Sequence, residues 1–304
     1  MKTLLLGEVT PLLKSLLQKE AIVTTTKPAP DVELIIVRGG ILVNELLIAQ
    51  LPNLKVVISA GIGVDNIDLI KCAQKNITVC NCPKASTISV AEHTLALLLA
   101  GTKNIAKSDR QLKEGVWDRQ NNIGHDAAGK VVGIVGLGRI GSQVATLCKA
   151  LGFKVIAYDP YVTQAKFKKF GVTRITSLKS LVNKANYLSL HTPKTPETMT
   201  MFKDIALSSL KQPNGIVNTA RGGILLEQKL KAALQNKSLG FYGCDVFEDE
   251  VKPDKELIAI PTVIATPHIA ANTIEAQERV AYEVIRQIVA WKSKTHSKLN
   301  IIKP

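Results

Sequence analysis

No apolar run in this chain is long enough to cross a bilayer. The best candidate, Thr94 to Ala100, falls far short of the roughly twenty residues a spanning helix needs. The opening Met1-Lys2-Thr3-Leu4-Leu5-Leu6 looks briefly like a signal peptide, but Glu8 interrupts it and no small-residue cleavage site follows, so it reads as a first strand. Cysteine is present without a pattern: no zinc-ribbon or thioredoxin spacing occurs among the five. Cys80 and Cys82, two apart at a strand end, are expected to point to opposite faces. No metal site is expected, and the compartment expected is a reducing one, the cytoplasm. Arginine is scarce, at eight of the 39 basic residues. The formal charge of +14 is spread as single lysines, with no block resembling a nucleic-acid-binding arm. It reads as a solvated surface with a mild attraction for anions, and neither nucleic acid nor membrane is expected as a partner.

What is present is an ordinary globular composition, 46% hydrophobic and 21% charged, over 304 residues, enough for two domains. One stretch organises the rest. Val131-Val132-Gly133-Ile134-Val135 reads as a strand, tightens through Gly136 and Gly138, and runs through Arg139, Ile140 and Gly141 into a helical pattern. Glycines at the first two positions let the backbone turn and approach a pyrophosphate, and the third lets helix and strand pack closely. A second strand, Val155 to Tyr158, ends about twenty residues on in Asp159, placed to take ribose hydroxyls. That context lifts the glycine pattern well above a chance turn.

Before this unit the chain alternates short strands and helices: Leu4 to Leu6, Glu33 to Val37, Lys55 to Ser59 and Ile77 to Cys80, with helical patterns between. Their ends carry Arg38-Gly39-Gly40 and Ala60-Gly61-Ile62-Gly63. Ser89 to about Gly115 reads as one long helix with Ser89 and Glu92 as a capping box. Beyond it, six strands from Val131 to Ala265 are expected to make a doubly wound sheet, after which a helix from Ile274 to about Lys292 returns to the first domain. The fold expected is α/β: two doubly wound parallel-sheet domains, with a Rossmann nucleotide-binding domain (93–273) inserted into a smaller flavodoxin-like substrate domain (1–92 and 274–304).

Three strand ends in the second half of the larger domain carry possible chemistry. They are Asn218-Thr219-Ala220-Arg221-Gly222-Gly223, Asp245-Val246-Phe247-Glu248-Asp249-Glu250 and Thr266-Pro267-His268-Ile269-Ala270-Ala271. An arginine can bind and polarise a 2-keto acid, a histidine can pass a proton to its oxygen, and a carboxylate can raise the histidine's pKa. Taken singly, each has a bland reading: a surface ion pair, a solvated acid, a buried imidazole satisfied by backbone. Three such residues at strand ends beside a dinucleotide turn make the blander account unconvincing. His191 is read as part of the cofactor wall, while His93, His125 and His296 are read as structural or exposed.

The chain resembles the D-2-hydroxyacid dehydrogenases over nearly its whole length. The matching stretches are Ala60 to Asp68, Ser89 to Glu92, Gly136 to Gly141, Tyr158-Asp159-Pro160, His191-Thr192-Pro193, Asn218 to Gly223, Asp245 to Glu248 and Pro267-His268. Its motifs are nearest those of the short phosphoglycerate-oxidising branch. The resemblance implies catalysis by Arg221, Glu250 and His268. It implies NAD held by Gly136, Gly138, Arg139, Ile140, Gly141, Asp159, Thr192, Pro193, Thr219, Ala220, Asp245 and Ala271. It implies substrate held by Arg38, Gly39, Ile62, Gly63 and Arg221. Glu250 is preferred to Glu248 because its spacing from Arg221 fits the family's motif. A homodimer formed through the nucleotide domains is also implied. The chain departs from the pattern at Val251, where the family usually has proline, and at Ser59, where phosphoglycerate enzymes often carry a phosphate-binding arginine. The expected reaction is NAD-dependent oxidation of 3-phosphoglycerate to phosphohydroxypyruvate in serine synthesis. The alternatives are glyoxylate or hydroxypyruvate reduction and, from another class, an NAD-sensing corepressor that binds peptide partners.

Overall fold

The computed structural model describes residues 1–303. In chain order the elements are β1 (Lys2–Leu6), α1 (Pro11–Lys19), β2 (Val23–Thr25), β3 (Val32–Val37), α2 (Glu45–Ala49), β4 (Val56–Ser59), α3 (Leu69–Gln74), β5 (Thr78–Cys80), α4 (Thr87–Thr102) and α5 (Ile105–Lys113). They continue with β6 (Val131–Val135), α6 (Arg139–Ala150), β7 (Lys154–Tyr158), α7 (Gln164–Phe170), β8 (Thr173–Arg174), α8 (Leu178–Lys184), β9 (Tyr187–Leu190), α9 (Pro196–Thr200), β10 (Gly215–Asn218), α10 (Glu227–Gln235) and β11 (Tyr242–Cys244). Last come α11 (Lys255–Ala259), β12 (Val263–Ala265), α12 (Ile274–Lys292) and β13 (Ile301–Ile302).

Two compact units result, one of Met1–Ser86 with the C-terminal residues from Asn272 onward, the other of Thr87–Ala271. In the first, the sheet order is β13-β5-β4-β3-β1-β2, parallel except for the antiparallel β13. Without β13 this is the flavodoxin-like winding. Strands such as Val32-Glu33-Leu34-Ile35-Ile36-Val37 are almost continuously apolar because helices cover both sheet faces. Thr10 caps α1 by accepting from the Leu13 N–H, with Pro11 preset at the first helical position. On one face α12 joins this core through Val280, Ala281, Val284 and Ile288, so the C-terminal helix does return to the first unit.

The second unit has the all-parallel order β12-β11-β10-β9-β6-β7-β8. This is the doubly wound Rossmann arrangement with a further strand, and its winding reverses between β6 and β9. The expected α/β class, two doubly wound domains with one inserted in the other, is therefore what forms.

Several local expectations need correction. The nucleotide sheet has seven strands, not six; β8 is two residues long and paired only to β7, too short to carry a readable pattern. The long helix breaks in two at Asn104, which takes a left-handed backbone (φ 56°) and donates its side-chain amide to the Ile123 carbonyl at 3.0 Å. Ser89 and Glu92 form no capping box, because α4 already starts at Thr87. That continuous helix also moves the division of units from 92/93 to 86/87; at the other end it falls at 271/272 rather than 273/274. Cys80 and Cys82 enter the same core cluster, since residues two apart on extended backbone share a face.

Candidate active site

The turn after β6 is shaped by contacts that glycine alone permits. Gly136 sits at φ +92°, and a Cβ there would lie 2.7 Å from the His191 carbonyl oxygen. At Gly141 a Cβ would lie 2.1 Å from the Gly136 oxygen, so this glycine lets α6 press against the turn. Gly138 differs: nothing in the protein lies within 4 Å of its would-be Cβ. Its backbone faces open space at the N-terminus of a twelve-residue helix that has no side-chain cap. The first N–H groups of α6 and the positive end of its dipole are thus presented to that space.

Asp159, at the end of β7, ties the turn down. Its Oδ2 accepts from the Leu137 N–H at 2.8 Å and its Oδ1 from the Tyr161 N–H at 2.9 Å. Each carboxylate oxygen keeps a second lone pair for a hydroxyl. On the other side of the turn, at the end of β9, His191 Nδ1 and Thr192 Oγ1 are buried and have no hydrogen-bond partner among the described residues. Thr192 Cγ2 would be 3.1 Å from a Cβ on Gly136, which places it against the turn. Burial lowers the His191 pKa to about 3, and its Nε2 meets Ser189 Oγ at 2.7 Å. Burial thus disfavours the charged form of His191. Free helix N–H groups, a strand-end carboxylate, an open glycine and two orphaned polar atoms together fit a dinucleotide.

The three loops singled out for chemistry are built as closely. Asn218 folds its turn by accepting from the Ala220 N–H at 3.0 Å and donating to the Arg221 carbonyl at 2.9 Å. A Cβ on Gly222 would lie 1.7 Å from the Phe247 oxygen, so only glycine lets these loops press together. Arg221 Nη1 donates to the Ala220 carbonyl at 2.6 Å. Glu248 and Glu227 each accept the other's backbone N–H at 2.8 Å, which commits Glu248 to loop structure. Glu250 is the acid that meets the histidine: its Oε2 lies 2.9 Å from His268 Nδ1. Each of the two side chains is about half exposed, 45% and 49%. Hydrogen bonding to Glu250 raises the His268 pKa, and the same bond lowers that of Glu250. Arg221 acts on both, opposing the charge on His268 and favouring that on Glu250, so the three groups share one field. Thr219 spends its hydroxyl on Thr94 Oγ1 at 2.7 Å, and Ala220 is buried beside it. Asp245 is 1% exposed and its carboxylate accepts from the backbone of the His268 loop. Pro193 and Ala271 are exposed within their loops.

In the smaller unit, the loop after β4 turns its carbonyls inward. Those of Gly61, Ile62 and Gly63 accept from the Cys82 N–H, the Asn81 side-chain amide and the Ser59 hydroxyl at 2.8, 2.7 and 2.8 Å. Arg38 and Gly39 (φ +76°) end the neighbouring strand β3 on the same edge of that sheet. Ser59, 6% exposed, is a loop clamp.

Sequence reasoning passed over two residues: His93, read as structural or exposed, and Thr266. His93 Nε2 lies 2.9 Å from Thr266 Oγ1 across 173 positions of sequence, a pairing that no local pattern could signal.

Comparison with known proteins bears on this arrangement. The sequence model described as "D-isomer specific 2-hydroxyacid dehydrogenase, NAD binding domain" matches residues 95–270. A D-3-phosphoglycerate dehydrogenase of Synechocystis sp. is 39% identical over 259 residues, 85% of this chain and 47% of its own length. One from Methanocaldococcus jannaschii is 40% identical over 258 residues, 85% of this chain and 49% of its own. The chain thus spans about half the length of the curated relatives it matches. Among solved structures, D-lactate dehydrogenase from Aquifex aeolicus, complexed with NAD and lactic acid, superposes with a TM-score of 0.88 at 28% identity, covering 100% of this chain and 99% of that one. The NADPH-dependent glyoxylate/hydroxypyruvate reductase of Sinorhizobium meliloti gives 0.85 at 27%, covering 96% and 93%.

Proposed function

Because the chain belongs to the D-isomer specific 2-hydroxyacid dehydrogenase family, we propose that it is an NAD-dependent oxidoreductase of D-2-hydroxy acids that oxidises 3-phosphoglycerate to phosphohydroxypyruvate for serine synthesis. The observation that carries this reading is the 2.9 Å contact between His268 Nδ1 and Glu250 Oε2 in the field of Arg221, beside a turn that fits a dinucleotide. When bound, the nicotinamide supplies or accepts the hydride. His268 takes the substrate's hydroxyl proton on its Nε2 as oxidation proceeds and returns it in reduction. Glu250 holds the ring by Nδ1 and stabilises the imidazolium that results. Arg221 grips the carboxylate and polarises the adjoining oxygen. In the smaller unit, Arg38, Gly39, Ile62 and Gly63 are the candidate substrate-binding residues. Gly136, Gly138, Arg139, Ile140, Gly141, Thr192, Pro193, Thr219, Ala220, Asp245 and Ala271 line the cofactor's place, and Asp159 takes the adenosine ribose. Its negative charge disfavours a 2′-phosphate, and no arginine follows it closely, which supports NAD over NADP.

A second reading, glyoxylate or hydroxypyruvate reduction, is favoured by one observation: Ser59 stands where a phosphate-contacting arginine is common and is spent on the Gly63 carbonyl. Assays of 3-phosphoglycerate, hydroxypyruvate, glyoxylate and lactate with each cofactor decide between the two. Turnover of glyoxylate without 3-phosphoglycerate overturns the first, and NAD binding with no turnover of any hydroxy acid supports the corepressor alternative.

A homodimer through the nucleotide domains is supported by an apolar stretch on and after α5, where Ile105, Leu112, Val116, Trp117 and Ile123 are 46–76% exposed. A cytoplasmic location is supported by five free, buried cysteines, with Cys80, Cys148 and Cys244 pushed up to about 12 by burial. No helix among the described residues is long and apolar enough to cross a membrane.

A further inference from the structure

His268 and Glu250 are both half exposed, so packing does not aim the imidazole; the backbone turn beneath it does. That turn is unusual. His268 sits at φ 52°, a left-handed conformation that a residue with a Cβ keeps only where its surroundings impose it. Asp245 imposes it from below. Its Oδ1 accepts from the Ile269 N–H at 2.8 Å and from the Thr266 hydroxyl at 2.6 Å, and its Oδ2 accepts from the Ala270 N–H at 2.8 Å. The clamp therefore grips the chain on both sides of His268.

Thr266 has one hydroxyl hydrogen, and the short contact to Asp245 uses it; its distance to the Cys244 carbonyl is longer, 3.3 Å. Towards His93 Nε2, 2.9 Å away, Thr266 Oγ1 can then only accept, which assigns the proton of His93 to Nε2. The same nitrogen lies 3.7 Å from Asp245 Oδ1, too far for a hydrogen bond, so His93 reaches Asp245 through Thr266. It comes from α4, a sixteen-residue helix of the same unit, and so anchors the turn to a rigid element.

We propose that His93 is a positioning residue for the acid–base histidine: through Thr266 and Asp245 it locks the turn that aims His268 at Glu250. This rests on His268 being the group that moves the proton. Without the brace, Thr266 Oγ1 loses the donor that holds it, its grip on Asp245 loosens, the turn relaxes, and the 2.9 Å contact to Glu250 lengthens. The charged groups acting on His268 are Glu250 and Asp245, which favour its protonated form, and Arg221, which opposes it.

The test uses the full chain with His93→Ala and Thr266→Val, and with His93→Gln and Thr266→Ser as conservative variants that keep a donor and a hydroxyl. The first readout is the imidazole titration of His268 by NMR in the unliganded protein, its signal identified by its loss in His268→Ala. The expectation is a fall toward an ordinary histidine in His93→Ala and Thr266→Val, with recovery in the conservative pair. The second is kinetic: kcat falls roughly tenfold or more from misaimed proton transfer, while NAD affinity stays within about twofold. An unmoved His268 titration and unmoved kcat in folded His93→Ala overturn the proposal. So does a loss of NAD affinity equal to the loss of kcat with no recovery in the conservative variants, which marks a purely structural helix contact. Should the wild-type protein turn over no hydroxy acid, the enzyme reading fails, and the NMR titration still decides the brace.

Discussion

Replacing Gly138 by alanine separates the fold of the glycine turn from its use. The backbone there is extended (φ −70°, ψ −152°), which alanine adopts without strain, and the added methyl meets no protein atom within 4 Å. Alanine is a poorer helix N-cap than glycine by several tenths of a kcal/mol, but it stiffens the unfolded chain by about as much, so stability should change little. On the proposed cofactor placement, the methyl nevertheless stands where a pyrophosphate would meet the N–H groups of α6. Losing one charge-assisted hydrogen bond costs about 1.5–3 kcal/mol, which is roughly a 10- to 150-fold weaker dinucleotide. Gly141→Ala is the contrast. Its Cβ would lie 2.1 Å from the Gly136 oxygen where about 3.0 Å is the closest real approach, so α6 must retreat by about 0.9 Å. Overpacking of that kind costs about 1–3 kcal/mol, seen as a fall of roughly 2–4 °C in Tm per kcal/mol. Thermal melts and NAD titration by quenching of intrinsic fluorescence measure both effects. If Gly138→Ala binds NAD as the wild type does, or melts as early as Gly141→Ala, the assignment of that open space to a ligand is wrong.

Glu250→Gln should move the pH profile in a direction set by the His268 pair. Glu250 raises the pKa of His268, oxidation needs the neutral ring, and reduction needs the protonated one. Oxidation therefore rises with pH through that raised pKa while reduction falls through it, and the variant should shift both limbs to lower pH; kcat/KM profiles that keep their midpoints would contradict it. His268→Ala should lower kcat by about 10²–10⁴-fold and leave NAD affinity near normal, as isothermal calorimetry would register. Asp159→Ala should do the reverse, because it frees the Leu137 and Tyr161 N–H groups and removes the ribose partner. Equal losses in both variants would refute this division of labour. Trp117→Glu, at a side chain 76% exposed, should reduce self-association in sedimentation analysis, and an unchanged mass would remove that stretch from any dimer contact.

Local chemistry was legible wherever a residue's neighbours in sequence are also its neighbours in space. The glycine turn into α6, the strand ending in Asp159 and the alternation that builds two parallel sheets all follow from backbone sterics and from apolar runs covered on both faces. Even the candidate trio could be singled out in advance, because residues at strand ends of a doubly wound sheet are delivered to one edge. Short elements were not legible: β8 and β13 have two residues each and exist only because a neighbouring strand offers them hydrogen bonds. Nor was the break at Asn104, where a left-handed backbone and a bond to Ile123 override a helical pattern.

The family's spacing pointed to Glu250, but only the tertiary structure shows why Glu248 does not meet the histidine. Glu248 and Glu250 are alike by composition and two positions apart, and it is the reciprocal backbone pairing of Glu248 with Glu227 that leaves Glu250 for His268. It also decided the role of His93, whose partner Thr266 lies 173 positions away. The physical reason is the same in each case: a hydrogen bond is specified to a few tenths of an ångström, while sequence pattern specifies only which face or edge a side chain belongs to.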